Sequence, residues 1–309
     1  MNVLDGPQSA LAPAGPHAQE IARTAWMLFG GAAAIFVLVL ALAALAILRR
    51  PRWLASRTAV VVGGVVFPLV VLAALLVDTL HGAPHLWAST TRPALVVDVV
   101  GEQWWWRVAY LDDRGEPDFV TANEIRMPVG APVELRLRSA DVLHSFWVPP
   151  LAGKLDMIPG RTNRLVLVAG REGSWRGQCA EYCGGAHAKM ALHVIALPSA
   201  AFERWRDGQR PDAEAAGGAH AEGRALFEAN CAVCHAVRGT GAAGARGPDL
   251  THVASRSSVG GGILPNDAAS LEGWIASNQR IKPGNLMPEF SHFTQEELRA
   301  VTAYLAGLD

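Results

Sequence analysis

From Ala25 to Leu48 no residue carries a formal charge, and a second uncharged run extends from Thr58 to Val77, ended by Asp78. At about 1.5 Å per residue the first run makes roughly 36 Å of helix, enough for a hydrocarbon core of about 30 Å. In lipid every backbone N–H and C=O must be paired within the protein, so both runs are predicted to be membrane-spanning helices. A cleaved secretory leader does not fit, because the run is too long and has only Arg23 as a basic flank. Arg49, Arg50, Arg52 and Arg57 lie between the runs. The positive-inside tendency places that loop in the cytoplasm and both chain ends on the opposite face. A soluble hairpin would not need an arginine-rich loop bracketed by two uncharged runs. Gly63, Gly64 and Pro68 fall inside the second run and are tolerable where the backbone is re-satisfied. Trp87 is placed at the membrane surface, where aromatic residues gather, with His81 and His85 as interfacial polar groups.

These runs divide the chain. Residues 1–24, rich in Ala, Pro and Gly, read as a poorly ordered tail. Residues 25–48 form the first span, 49–57 the cytoplasmic loop and 58–80 the second span. From Pro93 the pattern changes to period two. Val133, Leu135 and Leu137 alternate with Glu134, Arg136 and Arg138, as in a half-buried strand. Ala94–Val100, Arg164–Ala169 and Ala191–Leu197 read as further strands, so residues 93–206 are predicted to form a β sandwich or barrel. Residues 207–220 have linker composition and residues 221–309 form a third unit. The net charge of −1 gives no basic surface for nucleic acid.

The chemistry is concentrated in residues 179–190, which hold Cys179, Glu181, Cys183, His187 and Met190. Thiolate, imidazole and thioether suit copper or zinc rather than magnesium or calcium. His144, in an apolar stretch upstream, is a further candidate ligand. One blue copper needs two His, one Cys and a weak Met, so a second thiolate is surplus unless it bridges two metals. A closed zinc site of two Cys and two His leaves Met190 unused. A Cys179–Cys183 disulfide leaves the His and Met spacing unused.

A second motif, Cys231-Ala-Val-Cys234-His235, is a C-x-x-C-H haem attachment sequence. Cys231 and Cys234 are the candidate thioether residues and His235 the proximal iron ligand. Met287, before Pro288, is the candidate sixth ligand; Met/His ligation raises the potential of an electron-transfer haem. His252 and His292 compete for that position. Thr294 to Glu297 spell a capping box. It opens a terminal helix with Leu298, Val301, Leu305 and Leu308 on one face. The four cysteines all fall in these two motifs, so none is left for a structural disulfide.

Cys-x-Glu-x-Cys-x-x-x-His-x-x-Met with Val142-Leu143-His144-Ser145 upstream resembles the dinuclear CuA site of cytochrome c oxidase subunit II. The resemblance implies that Cys179 and Cys183 bridge two coppers. It further implies that His144, His187, Met190 and the backbone carbonyl of Glu181 complete the shells. The implied fold class is multidomain, with a two-helix transmembrane hairpin, an all-β cupredoxin-like Greek-key domain and an all-α cytochrome c domain. Trp104, in Gln103-Trp104-Trp105-Trp106, matches the tryptophan through which electrons reach the copper. The period-two rule puts Trp104 and Trp106 on one strand face. Arg107, Val108 and Ala109 stand where relatives served by soluble cytochrome c usually carry a carboxylate. Lys154–Arg161 matches a segment facing subunit I, with Asp156 and Arg161 near haem propionates of that partner. The Glu181 side chain is expected to reach a magnesium or manganese ion there. Ser56–Val61 contains no acid, so the family's proton-uptake glutamate has no counterpart.

The implied function is that of subunit II of a caa3-type respiratory oxidase in the bacterial cell membrane. Electrons pass from haem c through CuA to subunit I, where oxygen is reduced to water with proton translocation. Implied partners are subunit I with haem a and CuB, subunit III, and a cytochrome c or cytochrome bc complex as donor. The alternatives are the copper-containing small subunit of a nitric oxide reductase and a membrane-anchored electron carrier.

Overall fold

The computed structural model describes residues 6–87, 93–213 and 220–309, with only the backbone of 82–87. It divides into two units: His17–Thr91, and Met1–Pro16 together with Arg92–Asp309.

In the first unit, α1 spans Pro16–Arg49. It starts well before the uncharged run. Proline is favoured at a first helical position, and nothing from His17 to Thr24 breaks the helix. The second hydrophobic segment runs as α2, Arg57–Val61, a π-helical turn Val62–Val66 and α3, Phe67–Trp87. Ser56 caps its start by accepting from the Ala59 N–H. The π turn lies at Gly63–Gly64, just before Pro68. The Phe67 N–H reaches back five residues to the Val62 carbonyl, the π-type pairing, immediately before Pro68, which offers no donor. Both segments are long and apolar enough to cross a membrane. The His81 Nδ1–H donates to the Val77 carbonyl over 2.7 Å. The side chains of His85 and Trp87 lie outside the described residues.

In the second unit, residues 6–15 correct the expectation of a loose tail. The Arg176 N–H donates to Pro7 O, Ala14 N–H to Pro150 O, and Gly170 N–H to Ala14 O. Gln8 bonds Gln178 over 2.6 Å. Backbone pairing of this kind escapes a composition argument, because Ala, Pro and Gly supply carbonyls as well as any residue. Residues 6–15 and the β domain therefore form one packed unit.

The β domain contains β1 Leu95–Glu102, β2 Trp105–Leu111, β3 Pro117–Ala122, β4 Glu124–Pro128 and β5 Val133–Ser139. It continues with β6 His144–Trp147, β7 Leu155–Met157, β8 Asn163–Leu167, β9 Gly173–Cys179 and β10 Ala191–Leu197. They form two five-stranded sheets, in the orders β3-β2-β1-β5-β8 and β4-β10-β9-β6-β7. The pairs β1/β5 and β4/β10 are parallel. Alternation decides the inner face: Val97, Val99, Val133, Leu135 and Leu137 are fully buried. Trp106, Tyr110, Phe146 and Trp175 fill the space between the sheets. Trp104 precedes β2, so the period-two rule does not govern it. Trp106 alone of the three tryptophans enters the core.

The helix α4, Ser199–Gln209, closes the β domain and carries order into the expected linker. Arg210 pairs with Asp118 over 2.8 Å, and the Arg238 guanidinium donates to the carbonyls of Gln209 and Arg210. The His252 Nε2–H donates to Pro211 O over 3.1 Å. Residues 207–213 are thus held by both flanking domains and are not free tether.

The C-terminal domain contains α5 Ala221–Asn230, the short strands β11 Ser258–Val259 and β12 Leu264–Pro265, α6 Ala268–Ile281 and α7 Gln295–Ala306. Leu298, Val301 and Leu305 are buried on the predicted face of α7, whereas Leu308, also buried, lies past the end of the helix at Ala306. Phe227 of α5 meets Tyr304 of α7 with ring centroids 5.5 Å apart. The Thr294/Glu297 capping box is formed in both directions.

Candidate metal and haem centres

The loop between β9 and β10 brings the distant His144 to the cysteines. β6 pairs with β9, with Phe146 opposite Cys179. The candidate ligand atoms of His144, Cys179 and Cys183 lie within 4.8 Å of one another, and all three residues are buried. The Cys179 Sγ sits 3.8 Å from His144 Nδ1 and donates to the Glu181 carbonyl over 3.2 Å. The Cys183 Sγ lies 3.5 Å from His187 Nδ1 and 3.8 Å from the Met190 sulfur. Every candidate donor predicted from the sequence, including the Glu181 carbonyl, is therefore at this locus. Two thiols, two imidazoles and a thioether fit a copper site.

The surroundings prepare these donors. The Nε2–H of His144 donates to Asp141 Oδ1, leaving Nδ1 toward the sulfur. Burial lowers the His144 pKa, but hydrogen bonds with the Cys179 sulfur and the Asp141 carboxylate more than offset it. The net shift is upward. The hydrogen bond from the Cys183 thiol lowers the Cys179 pKa despite burial, and hydrogen bonds from His144 and from the backbone at Glu181 add to it. The first proton therefore leaves Cys179, and Cys183 holds the second. The Cys183 carbonyl accepts from Gln103 Nε2 at 2.7 Å and from Trp104 Nε1 at 2.9 Å. Gly184, with φ +112°, makes room for this: a Cβ there would lie 2.8 Å from Gln103 Nε2.

Lys154 pairs with Asp156 over 2.9 Å and with Glu181 over 3.2 Å. Asp156 thus takes Lys154 as its partner.

In the C-terminal domain Cys231 and Cys234 are unpaired thiols. Burial pushes the Cys231 thiol up to about 11. The Nδ1–H of His235 donates to the Pro248 carbonyl over 2.8 Å, which leaves Nε2 as the free ring donor. Burial lowers the His235 pKa, favouring the neutral imidazole that iron takes. Gly247 packs on this ring so closely that a Cβ would lie 2.6 Å from His235 Cε1. The donor set and its orientation fit a c-type haem. Met287 is half-buried and its N–H is fixed by Asn285 Oδ1 at 2.9 Å. Of the competitors, His252 is turned to Pro211 and His292 lies against Phe293, centroids 5.0 Å apart.

A family model described as cytochrome c oxidase subunit II, periplasmic domain, matches residues 115–197, and one described as cytochrome c matches residues 220–309. Cytochrome c oxidase subunit 2 of Alkalihalophilus pseudofirmus is 35% identical over 97% of this chain and 90% of its own length. The chain belongs to the cytochrome c oxidase subunit 2 family. The Bacillus subtilis subunit 2 is 31% identical over 70% of this chain and 62% of its own. Among solved structures, the periplasmic domain of oxidase subunit II from Bradyrhizobium japonicum is 30% identical over 39% of this chain and 96% of that one, with a TM-score of 0.36. This subunit 2 chain carries a membrane anchor, a periplasmic copper-binding domain and a fused haem-binding cytochrome c domain. It serves a respiratory haem-copper oxidase.

Sequence reasoning missed Asp141, Gln103 and Lys282. Asp141 lies three residues before His144, and a carboxylate that near a candidate ligand is a readable signal. Gln103 and Lys282 act across long sequence separations and leave no local signature.

Proposed function

We propose that this subunit is the electron-accepting arm of a caa3-type oxidase in a bacterial cell membrane. Cys179, Cys183, His144, His187, Met190 and the Glu181 carbonyl hold a dinuclear copper centre. Cys231 and Cys234 would attach one haem c, and His235 and Met287 would hold its iron. When bound, these groups supply one-electron carriers in series, and oxygen is reduced on subunit I, which holds haem a and CuB. The observation that carries the reading is the convergence of two thiols, an imidazole and a thioether of the β9–β10 loop with the His144 imidazole of β6.

The protein's own residues do the rest. The sandwich buries both sulfurs and excludes water, and Asp141 fixes the tautomer of His144. Trp104 joins the Cys183 carbonyl to the outer surface of the domain. Lys154, Asp156 and the Glu181 carboxylate form the face offered to subunit I, with Glu181 as ligand to a magnesium or manganese ion. Subunit III is a further partner, and a cytochrome c or cytochrome bc complex is the donor.

Purification of the tagged full-length chain from its native membrane tests this. The expected result is co-isolation of a large haem a subunit whose oxygen consumption depends on this chain. A partner that reduces only nitric oxide, or no large membrane partner, contradicts it.

A further inference from the structure

The cytochrome domain is seated directly on the copper domain by contacts that neither cofactor motif supplies. Gly260, Gly261 and Gly262, all with positive φ, form the tip between β11 and β12. This tip lies against Ala191, the residue after Met190. The Ala191 N–H donates to the Gly261 carbonyl over 3.1 Å, and a Cβ on Gly262 would lie 2.6 Å from the Ala191 carbonyl. Lys189 donates to the carbonyl of Ile281. A Cβ on Gly284 would sit 3.5 Å from the ring of Trp104.

At the centre is Lys282, only 2% exposed. Its ammonium donates to the Trp104 carbonyl over 2.6 Å and to the Gly260 carbonyl over 3.1 Å. One acceptor belongs to each domain. An ammonium buried without a carboxylate is unfavourable unless its donors are satisfied. Here satisfaction requires both domains in register. Removing the amine would take the Lys282 donor from both partly buried carbonyls, the more damaging direction of change. Further contacts hold the same arrangement: Ser257 N–H to Glu124 at 2.8 Å, Arg126 to Ser255 O at 2.7 Å and Arg107 to Ala245 O at 2.8 Å. Arg107 stands where an acidic docking residue was expected to be missing, and it serves the fused domain instead.

We propose that Lys282 is a positioning residue that latches the cytochrome domain over Trp104. The seated domain makes the chain's own haem the donor served by Trp104 and closes that face to a soluble donor. This rests on the oxidase reading above for its functional half, while the latch itself is a structural claim.

The test uses the full chain in its assembled oxidase, with spin labels on unnatural amino acids at Asp113 and Arg299, both exposed. The wild type is expected to give one narrow inter-label distance. Lys282→Met is expected to broaden it, with the seated population falling about tenfold for the loss of the donor shared by the two carbonyls. Lys282→Arg, which keeps donors, restores part of it. Flash-initiated haem-to-copper transfer slows in Lys282→Met with the haem potential unchanged, and oxidation of added soluble cytochrome c at the copper domain rises. An equally narrow distance in Lys282→Met, or a broad one in the wild type, overturns the latch. A narrow wild-type distance that Lys282→Met broadens, without any haem-to-copper transfer, supports the latch and removes the oxidase reading.

Discussion

The Nε2–H of His144 donates to Asp141 Oδ1 over 2.7 Å, and the opposite ring nitrogen faces the Cys179 sulfur at 3.8 Å. Asp141 Oδ2 also accepts the Gln103 N–H at 2.7 Å. One carboxylate therefore orients a ligand and anchors the segment that leads into Trp104. Asp141→Ala is expected to lower copper affinity about 10–100-fold, the usual effect of removing an outer partner of a ligand. Competition titration against a chelator measures this. Unchanged affinity would mean that packing alone holds His144.

Trp104→Phe keeps an aromatic ring but removes the Nε1–H that reaches the Cys183 carbonyl over 2.9 Å. The expected outcome is full copper content with slower haem-to-copper transfer. Gln103 still donates to the same carbonyl, so the loop keeps one of its two anchors. Metal analysis beside flash kinetics separates the two effects.

Gly247→Ala places a methyl 2.6 Å from His235 Cε1. Overpacking of this kind costs about 1–3 kcal/mol. A lower Tm of the cytochrome domain and a perturbed haem spectrum are expected. A normal spectrum would show that His235 can move without loss of ligation.

The capping box supplies a pH-dependent prediction. Hydrogen bonds from the Thr294 backbone and side chain lower the Glu297 pKa. The lowered pKa contributes stability that is present above the carboxyl's unfolded value and lost as pH falls through the folded one. Glu297→Gln is therefore expected to destabilise the domain at neutral pH, with the difference vanishing in acid. Thr294→Ala removes the cap itself, at about 1 kcal/mol. Thermal unfolding across pH reports both.

Local patterns were legible and long-range pairings were not. Val133, Leu135 and Leu137 announced β5 by alternation, and Leu298, Val301 and Leu305 announced the inner face of α7. The Cys179–Met190 spacing announced a soft-metal loop because one short segment carries nearly all its donors. α1 begins at Pro16, well before the uncharged run, because absence of charge marks a membrane core and not a helix end. Residues 6–15 and 207–213 read as loose by composition, yet backbone carbonyls of Pro7, Ala14 and Pro211 are all taken. Lys282 carries no local signature in the sequence around it. Its burial follows from two domains meeting, which no window of sequence contains.

Metal analysis with EPR and optical spectroscopy of the purified full-length chain tests the central claim most directly. The account predicts two coppers sharing one unpaired electron, beside one covalent six-coordinate haem. A single copper, or zinc, at the Cys179–Cys183 loop would contradict it.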